Sequence, residues 1–541
     1  MGRPRKLKRH VLLLLSLLVF GSTYCYDNPG ALKSQLQQRF HAIPKAQYEV
    51  LFNLSYSLYS VPNVILPFFG GLLVDKYGVR AMTLGLSTIV LLGQVVVALG
   101  CTFKNFYVIL AGRVIFGLGG ETMWVAQSTF MTQWFDSTEL AFAFGVNTCI
   151  ARMGTVLNDK LSPVIADEYS VSAALWVGVV LCVASLLCNV LLAHIDRRAE
   201  AVHGSLVAKL DDVDAAPPRL SDIRRFSWSF WVIAVKYVVF YSCIGPFNNV
   251  ASSLFMEREY FKTPTSPDCQ RCGLGAYELY CDAIAPSCPP VPPFAWPLPQ
   301  LSANCSIETA ADQYRCSKEP PYIQDEGINC DDSAWRNGQF TAMYCAKKSA
   351  AAETAASTMS IAPLIIAFLA PLCGSLIDAI GLRPFLALGA EMALVVAHAI
   401  IGFMPEIPVV WPLVLIGVGA CFFSSSMWPC VPYVVEPRFV GTAFGAMTSF
   451  SNMGLAVVPL LVASVYNASG KYIPEVVYVF LGFASLTVAF GVLLAIMDVA
   501  NGCRLTRKSL SPMLEKRHSL GDASSSSLLD TLLMDEEDED E

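Results

Sequence analysis

Long apolar runs are the feature that most constrains this chain. About twelve of them reach the roughly 20 residues that a helix needs to cross ~30 Å of hydrocarbon. Inside a bilayer every backbone N–H and C=O group must be paired within the protein, so spans of this length form helices. Only 15% of the 541 residues are charged, which is too few for the surface of a water-soluble protein. The sequence therefore predicts an all-α polytopic membrane protein with twelve transmembrane helices.

Charge and short motifs exclude several classes of function. The formal net charge of −7 equals the charge of the acidic run that ends the chain, residues 535–541. The remainder is near neutral, which argues against nucleic acid as a partner. The sequence contains no P-loop, no HExxH motif and no GxSxG motif at a strand-to-helix turn. We therefore expect no enzyme activity, no cofactor and no metal site.

Basic residues predict the orientation. Five of them precede the first apolar run, which we interpret as an uncleaved helix rather than a signal peptide because no small-residue cleavage site follows cleanly. Further Lys and Arg residues collect in alternate connections, after the predicted helices 2, 6, 8, 10 and 12. Since such residues concentrate in cytosolic loops, we expect both termini in the cytosol.

Polar connections divide the chain into two halves. We predict an N-terminal six-helix half over 1–193, a cytosolic central loop over 194–226 and a C-terminal six-helix half over 227–502. A hydrophilic insertion, 256–350, interrupts the second half on the non-cytosolic side. The serine-rich and acidic tail, 503–541, is expected to be disordered because it has too little apolar surface to bury.

The insertion has the cysteine content of a disulfide-bonded luminal module. Its even number of cysteines predicts disulfide bonds in an oxidising lumen; they are Cys269, Cys272, Cys281, Cys288, Cys305, Cys316, Cys330 and Cys345. A zinc site at the single CxxC pair is the alternative, although one pair without a second pair or His partners is a weak metal signature. Glycosylation sequons at Asn304 and Asn467 both fall on the predicted luminal side.

A motif repeats where helix 2 meets helix 3 and where helix 8 meets helix 9. Asp75 and Arg80 in the first copy correspond to Asp378 and Arg383 in the second, 303 positions later, with glycines at matching places. A carboxylate at a helix C-terminus is locally unfavourable, so we expect each Arg to neutralise its Asp across the turn. Two such copies predict a charged latch that forms in one arrangement of the helices and breaks in another. A cytosolic turn with solvated charges is the alternative.

Charged residues within the predicted spans are candidates for a binding site, because each has a high energetic cost in lipid. Glu121 in helix 4 and Arg152 in helix 5 lie at similar depth. They form either a structural ion pair or two separated charges that bind a zwitterion, such as an amino acid or short peptide. Lys236 in helix 7 contacts either a charged ligand or a structural partner. Arg113 in helix 4 is interpreted as a packing charge satisfied by backbone carbonyls, or else as a ligand contact.

Two aromatic residues lie where prolines interrupt helices. Tyr59 precedes Pro62 in helix 2, and Trp428 precedes Pro429 in helix 10. Because proline bends a helix and frees carbonyl groups, both positions are candidates for a substrate cavity, with a simple packing kink as the alternative. At the end of helix 1, Asp27 is explained as readily by a helix-ending turn before Asn28 and Pro29 as by substrate entry.

The repeated motif resembles motif A of the major facilitator superfamily, and Arg113-Val-Ile-Phe-Gly117-Leu-Gly119 resembles its RxxxGxG signature. The segments over 24–32, 59–63, 70–75, 119–127, 134–135 and 151–154 are similar to one branch, the major facilitator superfamily domain-containing protein 1 family of lysosomal dipeptide uniporters. That resemblance implies two six-helix halves that rock around a central site. It also implies that Glu121 and Arg152 contact the termini of a dipeptide, and that dipeptides with Lys, Arg or His are favoured.

We therefore predict a uniporter that moves dipeptides from a lysosomal or vacuolar lumen to the cytosol by alternating access. A proton-coupled carrier of amino acids, peptides or other small organic solutes is the alternative. A non-transporting receptor or scaffold is the second alternative. The lysosomal location follows from the resemblance, with the plasma membrane as the alternative. Expected partners are the dipeptide, membrane lipid and an accessory luminal glycoprotein, with a monomeric transport unit.

Overall fold

The structure is a computed structural model that describes residues 5–40, 42–136, 138–203, 223–224, 226–260, 330, 336–337 and 342–507. Within those ranges the chain folds into helices and turns without a strand. In the described part of the chain, eleven helices are long and apolar enough to cross a bilayer, and a pair bent by 50° would make a twelfth span. The predicted all-α polytopic architecture is confirmed.

The first six spans are α1 to α6. Two of them are interrupted: α1 near Val19, and α2 at a 3-10 turn, Pro62–Val64. The bounds are α1, Arg5–Leu18 with Phe20–Ala31; α2, Lys45–Ser60 with Leu66–Tyr77; α3, Val79–Thr102; α4, Phe106–Trp134; α5, Leu140–Glu168; and α6, Val171–His203. A short helix, Lys33–Arg39, lies between α1 and α2.

The last six spans are α7 to α12. A π-helix, Met256–Tyr260, follows α7, and a 3-10 turn, Trp428–Cys430, interrupts α10. The bounds are α7, Trp228–Phe255; α8, Ala342–Met359 with Ile361–Ile380; α9, Arg383–Phe403; α10, Val410–Met427 with Val431–Val434; α11, Val440–Ser469; and α12, Glu475–Ala500.

Ordered structure extends into both of the predicted polar segments. α6 continues to His203, so a helix occupies the start of the expected central loop at 194. The start of the tail is also ordered, because the N–H groups of Leu505 and Thr506 donate to the Asp498 carboxylate at 2.8 and 3.0 Å. The Leu382 N–H donates in turn to the Thr506 carbonyl at 2.9 Å. Residues 508–541 lie outside the described residues.

The two halves approach each other most closely on the side that carries both ends of the described chain, which we call the terminus face. Here α2 crosses α11 and α5 crosses α8. Gly71 lies against the carbonyl of Gly441, and Gly374 lies against the carbonyl of Ala141. Neither position has room for a Cβ atom, so the glycines of the repeated motif are what allow the halves to close on this face.

Candidate functional site

The carboxylate of Asp75 caps a helix of the opposite half. It accepts hydrogen bonds from the N–H groups of Gly441 and Thr442 at 2.8 and 2.6 Å, and from the Thr442 hydroxyl at 2.6 Å. These groups belong to the first turn of α11, where unpaired N–H groups and the positive end of the helix dipole favour an anion. Asp75 therefore joins α2 to α11 across the terminus face.

Asp378 repeats this arrangement in the other direction. Its carboxylate accepts hydrogen bonds from the N–H groups of Ala141 and Phe142 at 3.2 and 2.8 Å, at the start of α5. Arg383, which is buried, lies 3.9 Å from the same carboxylate and packs over the Tyr433 ring. Each motif carboxylate therefore binds the N-terminus of a helix from the other half.

The predicted pairing of Arg80 with Asp75 is wrong. Arg80 forms an ion pair with Asp196 at 2.8 Å and a second one with Glu200, both on the extension of α6. Asp196 also accepts a hydrogen bond from the Trp134 indole at 2.7 Å. Arg80 thus joins α3 to α6 within one half, because the amides of α11 already satisfy Asp75.

Trp428 packs in a layer of aromatic rings close to the terminus face. Its ring stacks on Phe444, with 4.9 Å between centroids, and Phe444 contacts Phe144 of α5 at 6.3 Å. The Trp428 indole N–H donates to the Ser128 hydroxyl at 3.0 Å, across the two halves. Ser128 lies seven residues beyond Glu121 on α4, roughly 10 Å along the helix. Trp428, Phe444 and Phe144 therefore form an aromatic layer, which we call the aromatic plug, between the terminus face and the cavity described in the next paragraph. Trp428 does not line that cavity.

A cavity of about 170 Å³ lies between α1, α2, α4 and α5. Glu121 and Arg152 both line it, together with Tyr59. The other lining residues are Ser22, Thr23, Tyr26, Asp27, Phe116, Gly120, Trp124 and Thr155. From the opposite half, Tyr237 of α7 lies within Coulombic range of both charges. The structure thus brings together three of the five substrate-binding residues that the sequence predicts.

Glu121 and Arg152 are close to one cavity without forming an ion pair with each other. The Glu121 carboxylate accepts a hydrogen bond from the Tyr59 hydroxyl at 3.2 Å, and the described residues offer it no cation within ion-pair distance. Arg152 is exposed and likewise has no acidic partner among the described residues. The arrangement leaves one acceptor and one donor of opposite charge available to a bound molecule.

Tyr59 occupies a slot that two glycines create on α4. Its backbone packs against Gly117, and its hydroxyl fills the space where a Cβ atom of Gly120 would lie. The ring also makes an edge contact with Tyr26, at 4.9 Å between centroids. The RxxxGxG segment and the glycine after it therefore seat the residue that holds Glu121.

Asp27 is a cavity residue that the sequence did not identify as part of the site. It is half-buried, faces the Thr155 hydroxyl and lies within Coulombic range of Arg152 and Arg113. Of the two explanations that the sequence left open for Asp27, the helix-ending turn does not occur, because α1 continues through Pro29 to Ala31. Tertiary packing brings Asp27 to the same cavity as Glu121 and Arg152, the two charged residues that the sequence did predict.

Arg113 is enclosed by aromatic rings. Its guanidinium lies 5.2 to 5.7 Å from the ring centroids of Tyr26, Tyr56, Tyr59 and Phe116. One nitrogen donates to the Cys25 carbonyl at 3.4 Å, whereas Nε and the other terminal nitrogen are buried without a hydrogen-bond partner among the described residues. The side chain is 1% exposed, so the rings separate it from the cavity.

Lys236 does not reach the cavity. Its ammonium lies 3.0 Å from the carboxylate of Glu391 on α9, and neither side chain has any exposed surface. Gly491 of α12 packs directly against the same carboxylate. Lys236 therefore has a structural partner, which was the alternative considered for it. It does not line the cavity, although it was predicted to be a substrate-binding residue.

The luminal features are described only in part. Cys330 and Cys345 are joined by a disulfide bond, and Asn467 is exposed near the end of α11. The remaining predicted residues of the insertion lie outside the described residues; they are Cys269, Cys272, Cys281, Cys288, Cys305, Cys316 and Asn304.

Comparison with known proteins identifies relatives over most of the chain. The sequence model of the Major Facilitator Superfamily matches residues 12–261 and 336–516. The human protein named lysosomal dipeptide transporter MFSD1 is 28% identical over 506 residues, covering 92% of this chain and 87% of the relative. The Danio rerio protein of that name is 28% identical over 480 residues, covering 87% and 83%. In three dimensions the fold matches the proton:xylose symporter XylE with a TM-score of 0.59 at 12% identity, covering 92% of this chain and 96% of that one.

Proposed function

Because the chain belongs to the major facilitator superfamily, we propose that this multi-pass membrane transporter carries dipeptides and binds them between Glu121 and Arg152. The unpaired opposite charges in one cavity are the observation that carries the proposal. A dipeptide has an ammonium at one end and a carboxylate at the other. Glu121 receives the ammonium, and the planar guanidinium of Arg152 binds the carboxylate through two parallel hydrogen bonds. The names of the relatives support the same class of substrate.

Alternating access supplies the transport step. The Asp75 and Asp378 caps and the aromatic plug close the terminus face, and the cavity lies on the other side of that plug. Breaking these contacts while the opposite face closes would release the dipeptide at the terminus face. The chain accordingly works as a uniporter with two six-helix halves, 1–193 and 227–502, that rock about the cavity.

The terminus face is cytosolic in this proposal, and both chain ends lie in the cytosol. The positive charge of the connections on that face supports this orientation. The membrane is that of a lysosome or a similar acidic vacuole, as the names of the relatives suggest. An accessory luminal glycoprotein and a monomeric transport unit complete the proposal.

Thermal stabilisation of the purified protein tests this function. A ligand that binds only the folded state raises the melting temperature as its concentration exceeds Kd. We expect Ala-Ala to stabilise the wild type, and N-acetyl-Ala-Ala and Ala-Ala-amide to stabilise it less, because each lacks one terminal charge. Glu121→Gln should remove the difference in stabilisation between Ala-Ala and N-acetyl-Ala-Ala. Arg152→Gln should remove the difference between Ala-Ala and Ala-Ala-amide. Glu436→Gln, at an exposed acid of the terminus face, is the control. Equal stabilisation by the free and blocked dipeptides would reject the proposal.

A further inference from the structure

The cavity contains a second carboxylate that the two termini of a dipeptide leave unused. Asp27 lines it from α1, on the same side as Thr155 and Arg152 of α5. The Thr155 hydroxyl faces the Asp27 carboxylate. A half-buried carboxylate in a membrane protein needs a compensating charge or hydrogen bonds. Among the described residues, Asp27 has no ion pair that would supply the compensating charge.

Two cations influence Asp27, and a bound dipeptide changes the contribution of only one of them. Arg113 is shielded by the rings of Tyr26, Tyr59 and Phe116, and its hydrogen bond goes to the Cys25 carbonyl. Arg152 lines the cavity and lies within Coulombic range of Asp27. When a dipeptide carboxylate binds Arg152, the positive field of that guanidinium is neutralised. Asp27 then needs a cation that the ligand itself has to provide.

We propose that Asp27 is a specificity-determining residue, which binds a positively charged side chain of the substrate. This inference rests on the proposed function, since it assigns the ligand termini to Glu121 and Arg152. The three charged groups of the cavity then form three separate subsites, for the ammonium, the carboxylate and the side-chain cation. A dipeptide with an apolar side chain fills two of them and leaves Asp27 without a partner.

Charge accounting also predicts what the cavity disfavours. An acidic side chain next to Asp27 would place two carboxylates together with one shielded guanidinium nearby. Like charges at short range in a site of low dielectric repel strongly. Dipeptides with Asp or Glu are therefore expected to bind more weakly than their Asn or Gln counterparts.

A ligand pair that differs only in the side-chain charge tests Asp27. Lys-Ala and norleucine-Ala have the same termini and side chains of similar length, and titration calorimetry in detergent gives Kd for each. We expect the wild type to bind Lys-Ala about tenfold more tightly, which is typical of one charge-assisted hydrogen bond. Asp27→Asn should reduce this ratio to about one, because Lys-Ala loses its charged partner and norleucine-Ala no longer leaves a carboxylate without one.

Glu168→Gln is the matched control, because Glu168 is an exposed acid at the end of α5 that does not line the cavity. It should preserve the tenfold ratio. If Asp27→Asn does not fold, Asp27→Glu keeps the charge but moves it by one methylene, and should lower the ratio while retaining binding. Equal Kd values for the two ligands in the wild type, or an equal loss for both ligands in Asp27→Asn, would overturn the role of Asp27. Absence of binding by either ligand in the wild type would instead reject the proposed function.

Discussion

At the residue scale, one rule of membrane energetics identified two residues that line one cavity and also produced one error. A charge inside a bilayer has a high cost, so Glu121, Arg152 and Lys236 all stood out in the sequence. The structure brings Glu121 and Arg152 to one cavity but pairs Lys236 with Glu391. Depth along a helix can be counted from the sequence. The direction in which a side chain points, and hence its partner on a distant helix, depends on packing.

Asp27 shows the opposite case to Lys236, because it lines the cavity although it was not among the predicted site residues. Asn28 and Pro29 follow it, and such residues usually end a helix, so a turn explained Asp27 as readily as substrate entry did. In the structure α1 continues through Pro29, since a proline in a buried membrane helix is tolerated where neighbouring groups satisfy the freed carbonyls. Asp27 therefore lies within a continuous helix and lines the cavity from it.

The ion pair of Lys236 and Glu391 leads to a prediction about stability. Lys236→Met leaves Glu391 buried without a cation and should lower the free energy of unfolding by about 3–5 kcal/mol. The double variant with Glu391→Met removes both charges and should regain most of that loss. Unfolding in a denaturing detergent measures both values. Arg438→Gln, in an exposed ion pair with Glu436, is the control and should change stability by less than ~0.5 kcal/mol.

The same double variant separates a structural role from a ligand contact. Because the pair has no exposed surface, we expect dipeptide affinity to be unchanged once stability is restored. A loss of affinity in the stable double variant would return Lys236 to the binding site.

At the element scale, the repeated motif was identified from the sequence, but its contacts were only partly predicted. Asp378 has the expected Arg383 nearby, whereas Asp75 has no contact with Arg80. The missing information was the position of two helix N-termini from the opposite halves. Backbone N–H groups have no signature in the sequence, so the strongest partners of both carboxylates could not be predicted.

Removing the charge of Asp75 should loosen α11. In Asp75→Asn a neutral amide replaces a carboxylate, and hydrogen bonds to a charged acceptor are roughly twice as strong as neutral ones. The interaction of a charge with a helix N-terminus adds up to about 2 kcal/mol. We expect backbone amides at the start of α11 to exchange with deuterium about tenfold faster. Hydrogen exchange followed by mass spectrometry measures this rate. Glu436→Gln, just before the same helix, should leave it unchanged.

The glycine contacts yield a prediction with opposite signs at two positions. Gly71→Ala places a methyl group against the Gly441 carbonyl and should destabilise the closed terminus face by about 1–3 kcal/mol, as overpacking does. Gly85→Ala lies in open space on α3 and should stabilise its helix by up to about 1 kcal/mol. Melting temperature and dipeptide uptake report both effects. A Gly71→Ala variant as stable and as active as the wild type would contradict the close approach.

At the scale of the whole molecule, the number of spans, the two halves and their repeat could be predicted because bilayer thickness fixes the length of each helix. The sequence could not predict which face of the molecule is closed. That depends on weak contacts between halves, which form and break while each half keeps its own core. The caps of Asp75 and Asp378 and the plug around Trp428 all lie on one face, so a single closed face isolates the cavity from the terminus side.

The coupling of transport to protons is decided by a flux experiment at this scale. A uniporter brings a neutral solute to equal concentrations on both sides of a membrane, whatever the pH difference. A carrier that moves one proton with each dipeptide would accumulate it about tenfold per pH unit, because each unit corresponds to about 1.4 kcal/mol. Ala-Ala has no net charge at neutral pH, so a clamped membrane potential adds no further driving force. We expect proteoliposomes to reach an accumulation ratio of one with or without a protonophore. Glu121→Gln is the control and should abolish uptake. An accumulation ratio well above one that falls when the protonophore is added would replace uniport by proton symport.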